Sequence, residues 1–312
     1  MPFDPELTEQ LRRVLAAVEQ ILPRPVPATD WTVDQAAAWR RRPLAGWLEP
    51  LRIQGGPDLD DLLGIDEQKA IVEQNLRQFL AGLPANNVLL WGVRGTGKSS
   101  LVRALLGAYA GRGLRLVQVD KTDLVMLPDI VDDLRDEPFR FVLFADDVSF
   151  EPGDASYKAL KSALDGSVYA MPENVLLHVT SNRRHLLPEF ETDNRGALVY
   201  DNEIHHGEAV EEKISLSGRF GLWVGFHSFS REQYLTVVRQ WIDRMCSARA
   251  TSLPWSERAR EAAVAWGHGK GDFSGRIAWQ FAAHWVGREL LARGGEGAAS
   301  PGAPRQPTPP SS

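Results

Sequence analysis

One cysteine, Cys246, is the only thiol in this chain of 312 residues. No intramolecular disulfide can form, and no cysteine pair is available to hold zinc. Lysine is scarce as well, 7 of the 35 basic residues, so a lysine found inside a phosphate-binding pattern is hard to ascribe to chance. Positive charge is not in excess. The balance is −6 with a pI of about 5.7, which removes any whole-chain reason for nonspecific nucleic-acid binding while leaving a local basic patch open. Long hydrophobic runs are missing too. Mean hydropathy is −0.26, no apolar stretch reaches the roughly 18 residues of a membrane span, and no signal-peptide pattern is seen. The expectation is a cytoplasmic address with no membrane partner. Tryptophan, by contrast, is abundant at ten residues. Trp31, Trp39 and Trp47 read as packing anchors, with a partner-binding face as the alternative.

The patterning predicts the layout. Leu7, Leu11, Val14, Leu15, Val18, Ile21 and Leu22 make an amphipathic helix over 5–22, ended by Pro23, Pro25 and Pro27. Residues 29–54 read as one or two further short helices, and Gly55-Gly56-Pro57 as a linker. A helix over about 66–82 precedes the apolar run Val88–Trp91, and helical spacing follows from Ser100. Further strands are expected at 114–119, 141–144, 175–180 and 223–226, with helices near 128–136 and 155–165. Residues 183–213 read as a long polar loop with a short helix over 208–213, and 230–292 as helices broken at Pro254 and at 267–271. Strands alternating with helices imply an α/β fold, a parallel sheet sandwiched by helices. The expected division is an N-terminal helical region (1–58), a core α/β domain (59–228), a helical lid (229–293) and a disordered tail (294–312).

The chemistry concentrates in Gly92-Val93-Arg94-Gly95-Thr96-Gly97-Lys98-Ser99, a complete Walker A loop between a strand and a helix. Its glycines let backbone N–H groups curl around phosphates. Lys98 reaches the β- and γ-phosphates, and Ser99 offers a hydroxyl to Mg²⁺, with Ser100 next in the cradle. The run Phe141–Phe144 leads to Asp146-Asp147, a Walker B pattern. Asp146 would hold Mg²⁺, and Asp147 stands where a water-polarising carboxylate is needed, with Glu151 as the substitute base. The fourth strand ends in Thr180-Ser181-Asn182, whose amide can reach a γ-phosphate or the attacking water, because neighbouring strand ends share one face of the sheet. Arg183 and Arg184 read as a solvated loop, and His205, His206 and Glu208 as a polar loop without metal-ligand spacing.

In this order these motifs resemble an AAA+ ATPase, with Asn182 as the sensor-1 residue. Ser215-Leu216-Ser217-Gly218-Arg219-Phe220 resembles the segment that carries an arginine finger, here Arg219. Gly271-Asp272-Phe273-Ser274-Gly275-Arg276 resembles sensor 2, here Arg276. The runs Tyr157–Lys161, Thr180–Leu187 and Gly207–Lys213 resemble more closely a bacterial group known as domain of unknown function 815, over about residues 30–292. The resemblance implies ATP and Mg²⁺ as ligands and Asp147, Asn182, Arg219 and Arg276 as catalytic groups. It also implies a homo-oligomer, such as a ring, in which Arg219 acts on a neighbour. Asp147 departs from the commonest glutamate, and Lys121–Met126 lacks the aromatic-hydrophobic-Gly pattern of protein-threading loops. Remodelling or loading of a protein or nucleic-acid partner is the leading expectation. A slow nucleotide-gated switch is the alternative, and a small-molecule phosphotransferase is a third reading.

Overall fold

The computed structural model describes residues 9–10, 12–14, 28–42, 45–52, 57–151, 154–165, 171–184, 186, 198–200, 203–205, 216 and 218–293. Residues 29–54 depart from the expected helices. Those described hold no helix. They form two antiparallel strands, β1 (Ala36–Arg42) and β2 (Ala45–Pro50). Alanine-rich sequence favours a helix locally, but β1 finds a parallel partner in the core sheet, and that pairing overrides propensity. The tryptophans are anchors as expected, on strands and turns instead of helices. Trp31 meets Phe141 edge to face at 4.9 Å. The Trp39 ring occupies the space a side chain would take at Gly46, where a Cβ would lie 1.9 Å from a ring atom. Of the expected helix over 5–22, residues 9–10 and 12–14 are helical and the others lie outside the described residues, as do Gly55 and Gly56 of the linker.

The remaining elements follow the expected alternation. They run α1 (Asp66–Leu80), β3 (Val88–Gly92), α2 (Lys98–Tyr109), β4 (Leu114–Gln118), α3 (Leu127–Leu134), β5 (Arg140–Ala145), α4 (Ala155–Leu164), β6 (Val175–Ser181), β7 (Leu198–Tyr200), β8 (Glu203–His205) and β9 (Leu222–Phe226). Three longer helices close the fold, α5 (Arg231–Ser247), α6 (Glu257–Lys270) and α7 (Gly275–Arg293). The main sheet has the order β2-β1-β4-β5-β6-β3-β9, and every pair in it except β1–β2 is parallel. Parallel strands must be covered on both faces, which is why their sequences are continuous apolar runs. Along β5, Phe141, Leu143 and Ala145 face α3 and α4, while Val142 and Phe144 face α1, α2 and the C-terminal helices.

The polar stretch after β6 holds a second correction. β7 and β8 pair as an antiparallel hairpin, Leu198 with His205 through Tyr200 with Glu203. The helix expected over 208–213 and the tail 294–312 lie outside the described residues. α5 starts in a capping box, Ser230 accepting from Gln233 N–H while the Gln233 side chain accepts from Ser230 N–H. α5 and α7 then pack along each other, with α6 against both. Among the described residues, no helix is long and apolar enough to cross a membrane.

This topology places the site. β3 lies between β6 and β9, although β4 follows it in the chain. The carboxyl ends of β3, β5 and β6 therefore open on one edge of the sheet, at the point where the strand order reverses.

Candidate nucleotide site

The loop between β3 and α2 bends through three glycines with positive φ: Gly92 at 126°, Gly95 at 77° and Gly97 at 107°. At Gly92 no other residue fits, since a Cβ would lie 1.9 Å from the Phe226 carbonyl oxygen at the end of β9. Val93 N–H donates to that same oxygen at 2.9 Å, pinning the loop to the sheet. Thr96 Oγ1 donates back to the Val93 carbonyl at 2.8 Å. The curl delivers Lys98 and Ser99 to the first turn of α2, where the positive end of the helix dipole favours an anion.

Lys98 is buried, with 2% of its surface exposed. Its ammonium donates to the Gly92 carbonyl at 2.8 Å, the Val93 carbonyl at 2.7 Å and Asn182 Oδ1 at 3.1 Å. Burial pushes its pKa down to about 8, against the opposing pull of Asp147 and Asp146. Asp146 Oδ1 accepts from Ser99 Oγ at 2.5 Å and from Thr180 Oγ1 at 2.6 Å. Its Oδ2 lies 3.9 Å from Arg103 Nη2. Asp147 adopts a left-handed backbone, φ 50°, a conformation aspartate tolerates better than most residues. Its N–H donates to Thr180 Oγ1 at 2.8 Å, and its carboxylate accepts from Asn182 Nδ2 and lies 3.6 Å from Arg94 Nη2. Asn182 thus bridges Lys98 and Asp147. His178, two residues before Thr180 on the same face of β6, is buried with both ring nitrogens unpaired among the described residues. Desolvation drops its pKa to about 4, so it is a neutral core group and not a base at neutral pH.

Arg276 stands in the first turn of α7, and its backbone N–H donates to the Gly95 carbonyl at 2.9 Å. A Cβ on Gly95 would sit 3.0 Å from Arg276 Cβ and 3.1 Å from Ser274 Oγ. The segment 274–276 is therefore seated on the phosphate loop itself. Arg219 is placed differently. Its guanidinium pairs with the Asp165 carboxylate of the same chain, just past the end of α4. Arg183 lies 3.8 Å from Glu151, and Arg184 stacks over the Trp91 ring at 5.2 Å. His206 and Glu208 lie outside the described residues.

The arrangement brings together Gly92, Val93, Arg94, Gly95, Thr96, Gly97, Lys98, Ser99, Asp146, Asp147, Asn182 and the backbone of Arg276. Two further residues meet Asp146 and carry no role in the motif reading, Thr180 and Arg103. Thr180 was within reach of it, since residues two apart on a strand share a face and Asn182 follows two positions later. The donor set fits Mg²⁺: one carboxylate and one hydroxyl, hard oxygen ligands that leave further positions for water and phosphate oxygens. The glycine cradle, closed to any side chain at Gly92, fits a phosphate group. Among the described residues no cluster of three or more His, Cys, Asp or Glu side chains is poised for a metal ion.

The family model described as "Protein of unknown function (DUF815)" matches residues 33–289. The chain is a DUF815 protein. No curated protein matches it. Among solved structures, the DUF815 chain is similar to Aeropyrum pernix Orc1, solved in complex with DNA, at a TM-score of 0.51 and 15% identity, covering 78% of this chain and 64% of that one. It is also similar to the Thermotoga maritima RuvB Holliday junction branch migration motor, at a TM-score of 0.48 and 18% identity, over 76% of this chain and 66% of that one. At 15% identity the likeness to Orc1 speaks for the fold alone, a mostly parallel sheet with helices on both faces. The expected fold class and family resemblance are borne out.

Proposed function

We propose that this DUF815 chain binds and hydrolyses ATP. The observation that carries the reading is Asn182, whose amide joins Lys98 to Asp147 at the mouth of the glycine loop. Phosphoryl transfer to water needs a phosphate cradle, a metal carboxylate and a positioned base, and these groups meet there. Gly92–Ser99 and Ser100 cradle the phosphates. Lys98 exchanges its loop carbonyls for phosphate oxygens. Ser99 and Asp146 would hold Mg²⁺, which when bound would supply positive charge beside the phosphates. Asp147 takes the proton of the attacking water, Asn182 orients that water, and Arg276 closes from the lid.

In this reading residues 59–228 are the ATPase core, 229–293 the lid, 1–58 an N-terminal region that completes the sheet, and 294–312 a tail. The active form is a homo-oligomer in the cytoplasm in which Arg219 releases Asp165 and turns to a neighbour's phosphate. The work done is remodelling or loading of a protein or nucleic-acid partner. A second reading, a slow nucleotide-gated switch, is favoured by one observation: the ammonium of Lys98 is already engaged three times within its own chain. The test is Asp147→Asn. Steady-state phosphate release should fall at least about tenfold with ATP affinity within about twofold. Unchanged release would move the base elsewhere, and a wild-type chain that binds ATP without turnover would leave the switch.

A further inference from the structure

We infer that Thr180 is a positioning residue that couples the metal carboxylate to the water-polarising carboxylate through one hydroxyl. The inference rests on the ATPase reading above and adds a residue that the motifs do not assign.

Thr180 is 1% exposed on β6. Its hydroxyl stands between two groups whose chemistry leaves it no choice of direction. The Asp147 backbone N–H can only donate, and it reaches Thr180 Oγ1 at 2.8 Å. With that lone pair of the hydroxyl used, the Thr180 O–H donates to the Asp146 carboxylate, Oδ1 accepting at 2.6 Å. The chain of bonds therefore runs one way, from Asp147 N–H through Thr180 O–H to Asp146 Oδ1. Ser99 O–H arrives at the same oxygen from α2, at 2.5 Å. Two hydroxyl protons converge on Oδ1, which turns the carboxylate so that Oδ2 faces the Arg103 side.

The other end of the relay matters equally. Asp147 sits in a left-handed conformation, φ 50°, which costs a non-glycine residue energy unless the surroundings hold it. Its N–H bond to Thr180 helps tie this turn to β6, and so does the bond from Val148 N–H to the Thr180 carbonyl at 2.8 Å. A single residue thus uses its side chain and its backbone to hold the turn that presents Asp147 to Asn182. Thr180 touches neither nucleotide nor water in this scheme. It acts through Asp146 and Asp147, so a change in how Asp146 is loaded is felt at the Asp147 backbone.

The test uses the full chain with Thr180→Val, which keeps the shape and removes the hydroxyl, and Thr180→Ser, which restores it. Thr180→Ala is the second hydroxyl-free variant if valine fails to fold. Three readouts are taken. Amide exchange at Asp147 in the nucleotide-free chain should speed up at least about tenfold in Thr180→Val, with the amides of β5 unchanged. The gain in ADP affinity on adding Mg²⁺, read against EDTA by calorimetry, should shrink at least about threefold, with affinity in EDTA unchanged. The kcat should drop at least about tenfold with KM within about twofold. Thr180→Ser should return all three to within about threefold of wild type. A folded hydroxyl-free variant with wild-type exchange at Asp147 and a wild-type Mg²⁺ effect overturns the inference. So does a serine variant as impaired as valine, which would make the methyl group's packing the cause. A wild-type chain without turnover overturns the ATPase reading instead, and exchange and Mg²⁺ linkage then decide Thr180 by themselves.

Discussion

The buried ammonium of Lys98 makes nucleotide affinity depend on pH in an unusual range. In the folded chain its pKa is about 8, lowered mainly by burial. The anionic phosphates of a bound nucleotide favour the charged form and raise that pKa, so binding above pH 8 must take up a proton. The sign follows directly. Below pH 8 the lysine is already charged and affinity is flat. Above it, affinity falls as pH rises, by up to about tenfold per unit, until the bound-state pKa is reached. From pH 7.5 to 9 the charged fraction of a group with a pKa of about 8 drops about eightfold, equivalent to about 1.2 kcal/mol of binding. The assay is calorimetric titration of ADP in EDTA across this range, in two buffers of different ionisation enthalpy, so that proton uptake is read independently of affinity. Lys98→Arg keeps the charge at every pH tested and should flatten the profile. A flat wild-type profile with no proton uptake at pH 9, or the same slope in the arginine variant, would refute the assignment of this titration to Lys98.

Two other outcomes follow from the geometry. Gly92→Ala should cost at least about 3 kcal/mol, seen as a large drop in melting temperature or loss of soluble protein, because its Cβ would strike the Phe226 backbone at 1.9 Å and strand movement is the only relief; a melting curve like that of wild type would refute it. Mixing Arg219→Ala with Lys98→Ala chains should restore part of the ATPase activity each lacks alone, measured as phosphate release against mixing ratio; no recovery would place Arg219 with Asp165 as a structural pair in its own chain.

Much of the core was legible because parallel strands buried on both faces must be written as apolar runs, and Val88–Trp91, Phe141–Phe144 and Val175–Thr180 are such runs. The β1–β2 hairpin was not. Ala36–Ala38 and Arg40–Arg42 carry no alternation, and what makes them a strand is β4, nearly eighty residues away, together with the fit of Trp39 over Gly46. The phosphate loop could be read residue by residue, since its glycines, lysine and serine each answer a local demand. Thr180 could be read only in part: its spacing from Asn182 puts it on the same face, but a threonine in a strand is ordinary until the register of β5 with β6, Ala145 beside Val179, brings it level with Asp146 and Asp147. Arg219 marks the limit of motif reading from the other side. Its segment was recognised, but its place beside Asp165 depends on where α4 ends.

The hydrogen bond from Arg276 N–H to the Gly95 carbonyl has a mechanical consequence. It fixes the first turn of α7 to the glycine loop, the segment that would adjust around phosphates if the proposed nucleotide binds there. α7 is 19 residues long, so it reaches about 28 Å from that anchor. A tilt of about 10° at its first turn would swing its far end by about 5 Å. Because α5 and α6 pack on α7, they would ride with it. A rearrangement of a fraction of an ångström at Gly95 is thereby geared up, and the end of α7 at Arg293 is where the largest stroke would be delivered.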